Sequence, residues 1–198
     1  MQWQAMSGRL CEVLGLARRP VGVTFADEVP EGAEMPRCRV CGALRMAADG
    51  RVIAVGAGNS ACPGGSHYLG LRAMEPERAE ALREFLIHGE KLFASPAAIH
   101  RMQALSKAKP PVGIANYAVF SPVQNAALRP DVIVVACSAW QAARLVNLLT
   151  YETGLPMQCD PTGALCRSAI TYPLVTGKAN VTFGDVTARR SEDVPEEE

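Results

Sequence analysis

The sequence predicts an α/β fold, in which helices alternate with the strands of a mixed sheet. Three observations support this class: apolar residues at helical spacing near the N-terminus, short β-branched runs of strand length, and proline or serine residues at positions that begin helices. The 198 residues suit one compact domain, or two small pseudo-repeated halves packed together. Because 48% of the residues are hydrophobic, the core needs no disulfides for stability.

The first half contains signals for three helices and two strands. A first amphipathic helix is expected to end before Pro20, followed by an alternating strand over residues 21–25. A loop covers residues 27–36, and a turn at residues 49–50 precedes a strand at residues 51–55. Two more helices are expected to have a proline in their first turn, namely Pro76 and Pro96, with Ser95 as the N-cap of the second.

The second half repeats the alternation of strands and helices. Strands are predicted at residues 117–120 and 131–136. Ser138 and Gln141 have the spacing of a capping box, which predicts a helix running through Leu149. Two closing strands are predicted for the remaining apolar segments, at residues 169–175 and 180–183.

The composition argues against two classes of partner, nucleic acids and membranes. The formal net charge is zero, so no basic surface suggests a nucleic-acid partner, and no apolar run approaches the roughly 20 residues of a membrane-spanning helix. Residues 191–198 contain five acidic residues and are expected to be a flexible tail on a domain of residues 1–190. The first residues lack the basic and apolar regions of a signal peptide, so a cytoplasmic location is expected.

Four of the seven cysteines are the candidate site residues. Cys38 and Cys41 form a Cys-x-x-Cys pair, while Cys62 and Cys166 are single and lie beside glycine or turn sequences. In a reducing compartment, clustered cysteines favour metal binding or redox chemistry over disulfides. Thiolates favour zinc or an iron–sulfur cluster, and a zinc module would usually supply a second close pair of ligands, which this sequence lacks. The spacing favours a cluster and leaves zinc, or no metal, as alternatives.

The other candidate residues have weaker signals. Cys11 and Cys137 are expected to pack as small apolar side chains, since they lie in an apolar helix and at the end of an apolar strand. Cys159, in a turn, is a spare ligand, and His67 is either a hydrogen-bond donor near the site or a surface residue. A weak internal echo, in which a Gly-containing turn follows both Cys41 and Cys166, would place Asp185 at the position of Cys62.

The chain resembles the cysteine-rich archaeal and bacterial family known as domain of unknown function 169. The resemblance spans roughly residues 8–190 and depends on the order of short motifs: Pro20-Val-Gly-Val-Thr-Phe25, Cys41 followed by Ala-Leu-Arg, Ala48-Asp-Gly50, Cys62-Pro-Gly-Gly with Leu69-Gly70, Pro130-Asp-Val-Ile, Trp140-Gln-Ala, and Cys166 ahead of Pro173. It implies a cytosolic protein, common in anaerobes, whose cysteines are suspected of holding an iron–sulfur cluster.

The sequence departs from this family in one place. Family members often have a further cysteine near a C-terminal Gly-Asp-x-x-Ala-Arg segment, and this chain has none in residues 183–190. The fourth ligand is therefore expected to be Cys38, Asp185 or a group from outside the chain.

These observations support a 4Fe–4S protein whose cluster serves small-molecule chemistry or electron transfer, with a small-molecule substrate or a redox partner. A non-enzymatic metal or small-ligand sensor or carrier, and a structural zinc protein, are the alternatives. The sequence does not distinguish an enzyme from a binding protein, because no motif in it identifies a substrate.

Overall fold

The computed structural model describes residues 2–106, 108, 112–161 and 163–184. Seven α-helices and four strands are present in these residues, with short 3-10 and π-helical segments between them. In chain order they are α1 (Gln2–Leu14), β1 (Val21–Ala26), α2 (Val40–Ala48), β2 (Ile53–Gly56), α3 (Pro63–Tyr68), α4 (Pro76–Glu84), a π-helix (Phe85–Gly89), α5 (Pro96–Leu105), β3 (Tyr117–Pro122), a 3-10 turn (Val123–Asn125), β4 (Val132–Val134), α6 (Ala139–Tyr151), a π-helix (Arg167–Thr171) and α7 (Tyr172–Thr176).

The four strands form one sheet in the order β2-β3-β1-β4. Each of the three strand pairs is antiparallel, and parallel pairing occurs at two isolated bridges, between Glu34 and Ile53 and between Cys38 and Ser60. Val23 lies opposite both Phe120 and Val132. Directly opposed residues project from the same face of a sheet, so these three side chains form an apolar row.

Helix α2 covers this apolar face. It contacts β1, β2 and β3, and its residues Ala43, Leu44 and Ala47 are buried in the same core cluster as the strand residues. The small alanine side chains let the helix approach the sheet closely. The N-terminal end of α2, which contains Cys41 of the Cys-x-x-Cys segment, is thereby held at a fixed place above the sheet.

The α/β class is confirmed, with antiparallel strand pairs in place of the predicted mixed sheet, and the four predicted helices are present. Helix α1 ends before Pro20, and Pro76 and Pro96 are the first residues of α4 and α5. The predicted capping box at α6 is present: the Gln141 N–H donates to the Ser138 hydroxyl at 3.3 Å, and the Ser138 N–H donates to Gln141 Oε1 at 2.8 Å. These contacts are local, so the sequence alone is sufficient to predict them.

The two closing strands predicted for the second half are wrong. Residues 167–176 are helical, and Asn180–Phe183 forms no strand with the described part of the chain. The buried residues come in adjacent pairs three residues apart, Arg167 with Ser168 and Ile170 with Thr171, which is a helical pattern and not the alternation of a strand. The amide side chain of Asn180 accepts a hydrogen bond from the Asp160 N–H and donates one to the Asp160 carbonyl oxygen, each at 2.8 Å. These two bonds take the place of strand pairing at this point.

Two further predictions concern residues outside the described ranges. Asp185, which the internal echo offered as a ligand, and the acidic tail at residues 191–198 both lie there. Among the described helices, none combines the length and the apolar character needed to cross a membrane.

Candidate metal centre and its cavity

Three of the four predicted site cysteines line a single cavity of about 340 Å³. Each lies at the beginning of a helical segment: Cys41 is the second residue of α2, Cys62 is the N-cap of α3, and Cys166 directly precedes the π-helix at residues 167–171. The fold therefore brings together sulfur atoms that are separated by as many as 125 residues (166 − 41) in the sequence.

The loop before α2 is joined to the loop before α3. The Ala61 N–H donates a 2.8 Å hydrogen bond to the carbonyl oxygen of Cys38. The amide side chain of Asn59 adds a second tie, donating to the carbonyl oxygens of Pro36 and Ala54 at 3.0 and 2.9 Å and accepting from the Gly56 N–H at 2.7 Å. These bonds fix the separation between the segments that carry Cys41 and Cys62.

Cys62 begins α3 with its own side chain. Its sulfur accepts a hydrogen bond from the Gly65 N–H at 3.2 Å, and its carbonyl oxygen accepts one from the Ser66 hydroxyl at 3.2 Å. A Cβ at Gly65 would lie 2.8 Å from Cγ2 of Val40, so only glycine allows α2 and α3 to approach this closely. Helix α3 begins at Pro63, directly after Cys62, although this glycine- and proline-rich stretch carries no helical signal in the sequence.

Cys166 is buried, and its neighbours are held by polar contacts. Tyr68 is buried near it, and burial, followed by the negative charge of a Cys166 thiolate, raises the pKa of Tyr68 to about 12, while Arg167 acts in the opposite direction. The Thr171 hydroxyl donates to the Tyr68 carbonyl oxygen, which ties the π-helix to the end of α3.

Arg167, next to Cys166, is almost completely buried and forms a bidentate ion pair with Asp160. Its Nη1 and Nη2 atoms lie 2.9 and 3.0 Å from the two carboxylate oxygens, and the Ser106 hydroxyl donates to the same carboxylate at 3.0 Å. This network joins the end of α5 to the segment that carries Cys166.

Cys38 is half-buried and is not among the residues that line the cavity. Burial raises the pKa of the Cys38 thiol, and the nearby Cys41 raises it further, while the positive charge of Arg51 lowers it. Cys38 is therefore close enough to Cys41 for an electrostatic interaction between their thiols, but it does not line the cavity.

Three thiols line one cavity, and an amide N–H is directed at one of the sulfurs. Within the described ranges, no three His, Cys, Asp or Glu side chains group so as to hold a metal ion. A single ion needs its ligands to converge on one point, whereas a cluster presents a separate iron to each thiolate. The described residues therefore give no direct evidence for either kind of metal.

An apolar part of the cavity lining was not predicted from the sequence. It comes from α4, α5 and the segment between them; its residues include Leu82, Phe85, Leu86, Phe93 and Met102. Arg39 and Arg78 also line the cavity and are exposed, and Glu90 lines it and is buried. The spacing of residues 78, 82 and 85 is that of one helix face, which was the available signal.

The remaining cysteines and His67 lie outside this cavity. Cys11 is partly buried, with its sulfur 3.9 Å from Nε2 of Gln124. Cys137 is exposed, so the prediction that it packs in the core is wrong. Cys159 is also exposed and lines a neighbouring open depression. The ring of His67 contacts that of Tyr68 with centroids 5.4 Å apart, and burial lowers its pKa.

Comparison with known proteins gives a family and one distant relative. The family model of domain of unknown function 169, described as Uncharacterised ArCR, COG2043, matches residues 9–198. The uncharacterized protein MJ0308 of Methanocaldococcus jannaschii is 26% identical over 199 residues, which cover 96% of this chain and 83% of that protein. No solved structure matches the chain.

Proposed function

The chain belongs to the domain of unknown function 169 family, and we propose that it binds a 4Fe–4S cluster through Cys41, Cys62 and Cys166. The observation that supports this is the convergence of three thiols, each at the start of a helical segment, on one cavity. Thiolates are the preferred ligands of such clusters, and N–H groups at these positions can bond ligand sulfur atoms.

The fourth ligand has three candidates. Cys38 belongs to the same loop as Cys41, but it does not line the cavity. Asp185 lies outside the described residues. The cavity favours the third candidate, a ligand from solution, because three thiols and a set of apolar side chains line the same space. An iron without a protein ligand supplies a Lewis acid to a molecule that enters the cavity.

This arrangement favours small-molecule chemistry at the cluster over electron transfer alone. A cluster that only carries electrons needs no adjoining space for a second molecule, whereas the lining of this cavity extends beyond the three cysteines to apolar residues of α4 and α5, against which a second molecule can pack. A cytoplasmic location is part of this proposal, because the thiolate ligands must be kept reduced. A nucleic-acid or membrane partner is not part of it.

A sensor or carrier is the second candidate. The same cavity favours it, because the residues that line it include one buried acid, Glu90, and no pairing of a nucleophile with a base of the kind hydrolytic enzymes use. Turnover of a bound molecule would distinguish the enzyme from the sensor.

The decisive experiment is anaerobic purification followed by measurement of iron, acid-labile sulfide and zinc. Equal amounts of iron and sulfide, about four of each per chain, with an electron paramagnetic resonance signal on reduction, are expected. Zinc in their place would support the structural zinc protein. If reconstitution with iron and sulfide also leaves the protein without iron, the proposed function is wrong.

A further inference from the structure

The cavity beside the cysteines has a definite chemical character. Many of the side chains that line it are apolar, among them Leu82 and Leu86 from the end of α4 and the π-helix after it, and Ala164 and Leu165 from the segment before Cys166. Gly64 faces this space without a side chain, and a Cβ there would meet Leu82 at 3.6 Å. Such a surface binds the apolar body of a molecule and offers it few hydrogen bonds.

Two cationic residues line the cavity, each from a different helix. Arg39 is the N-cap residue of α2, two residues before Cys41, and Arg78 belongs to α4. Both are exposed, and neither forms an ion pair within the described part of the chain. Glu90 is buried and already engaged within the fold. The two arginines therefore favour the binding of an anionic group in this cavity.

We propose that this cavity binds a small carboxylic acid with an apolar body, its carboxylate between Arg39 and Arg78 and its hydrocarbon part against the apolar wall. Guanidinium groups bind carboxylates through paired, charge-assisted hydrogen bonds. The inference names the ligand class of the proposed site, and it rests on the proposed function only in expecting a cluster beside the bound acid.

The first test is calorimetric titration of anaerobically purified protein with octanoate, 1-octanol and octylamine, with iron measured on the same samples. Octanoate should bind about tenfold more tightly than octanol, since an interaction with a charged group contributes at least this much, and octylamine should bind most weakly. From butanoate upwards, each methylene should tighten binding about fourfold, or about 0.8 kcal/mol, until the cavity is full. Equal affinity for the three head groups would overturn the assignment of an acid.

Variants locate the binding site. Arg39→Ala and Arg78→Ala should each weaken octanoate about tenfold and leave octanol unchanged. Arg101→Ala, an exposed arginine on α5 that does not line the cavity, is the control. Ala81→Trp should abolish binding of all probes because Ala81 lines the cavity, whereas Ala97→Trp at an exposed position elsewhere should not. Unaltered octanoate binding in both arginine variants would overturn the proposal.

The two proposals fail in different ways. Octanoate binding that depends on Arg39 and Arg78 in protein that cannot be loaded with iron would support the acid site and contradict the cluster. A protein with a full cluster that binds neither octanoate nor octanol would contradict the acid site and leave the cluster in place.

Discussion

The carbonyl oxygen of Cys38 accepts a 2.8 Å hydrogen bond from the N–H of Ala61, the residue before Cys62. This bond joins the two loops that lead into α2 and α3, so the beginnings of both helices are held side by side. Its consequence is that Cys41 and Cys62 reach one cavity even though 20 residues (42–61) separate them in the sequence.

The ligand set can be tested by single replacements. Cys41→Ser, Cys62→Ser and Cys166→Ser should each lower bound iron severalfold, because serine is a poorer ligand than a thiolate for a sulfide-bridged cluster. Cys11→Ser and Cys137→Ser are matched controls outside the cavity and should retain the iron of the wild type. Iron and sulfide analysis after anaerobic purification is the measurement, and equal iron in all five variants would refute the assignment.

The fourth ligand can be tested by comparing Cys38→Ala with Asp185→Ala. Because Cys38 does not line the cavity, we expect its variant to keep the four-iron content and the absorption spectrum of the wild type. Loss of one iron in the Cys38 variant would instead identify it as the fourth ligand. If the Asp185 variant alone changes the spectrum, the carboxylate takes that role.

Two glycine-to-alanine substitutions are expected to change the free energy of unfolding in opposite directions, because only one of the glycines, Gly65, lies where α2 and α3 approach closely. Glycine to alanine inside a helix usually stabilises by about 0.5–1 kcal/mol, and Gly42→Ala should do so because the nearest atom to its Cβ would be Cβ of Cys38 at 3.9 Å. Gly65→Ala should instead destabilise by about 1–3 kcal/mol, since its Cβ would lie 2.8 Å from Val40. Urea unfolding measures both, and stabilisation by Gly65→Ala would contradict the packing described.

The ion pair between Asp160 and the buried Arg167 predicts a large loss of stability when Asp160 is replaced. Asp160→Ala leaves the buried guanidinium of Arg167 without its counter-ion, so we expect a loss of about 3 kcal/mol in the free energy of unfolding. Glu80→Ala, which removes the exposed partner of Arg83, is the control and should cost less than about 1 kcal/mol. Similar losses in both variants would show that burial does not set the strength of the pair.

The sequence by itself determined the elements whose signals are local. The capping box of α6, the prolines at the first positions of α4 and α5, and strand β1 follow from neighbouring residues, and the structure confirms them. The family was also evident from the order of short motifs. Local hydrogen bonds and backbone preferences are sufficient in these places, because no distant residue is needed to satisfy them.

Only the tertiary structure decided what residues 167–176 form and where the cavity lies. A short apolar run fits a strand or a buried helix equally well, and here the burial of the adjacent residues Ile170 and Thr171, with the bond from Thr171 to Tyr68, favours the helix. The cavity combines residues from α2, α3, the segment of α4 and α5, and the turn before Cys166. Contacts over such separations are made by packing of the whole chain, so no local pattern carries them.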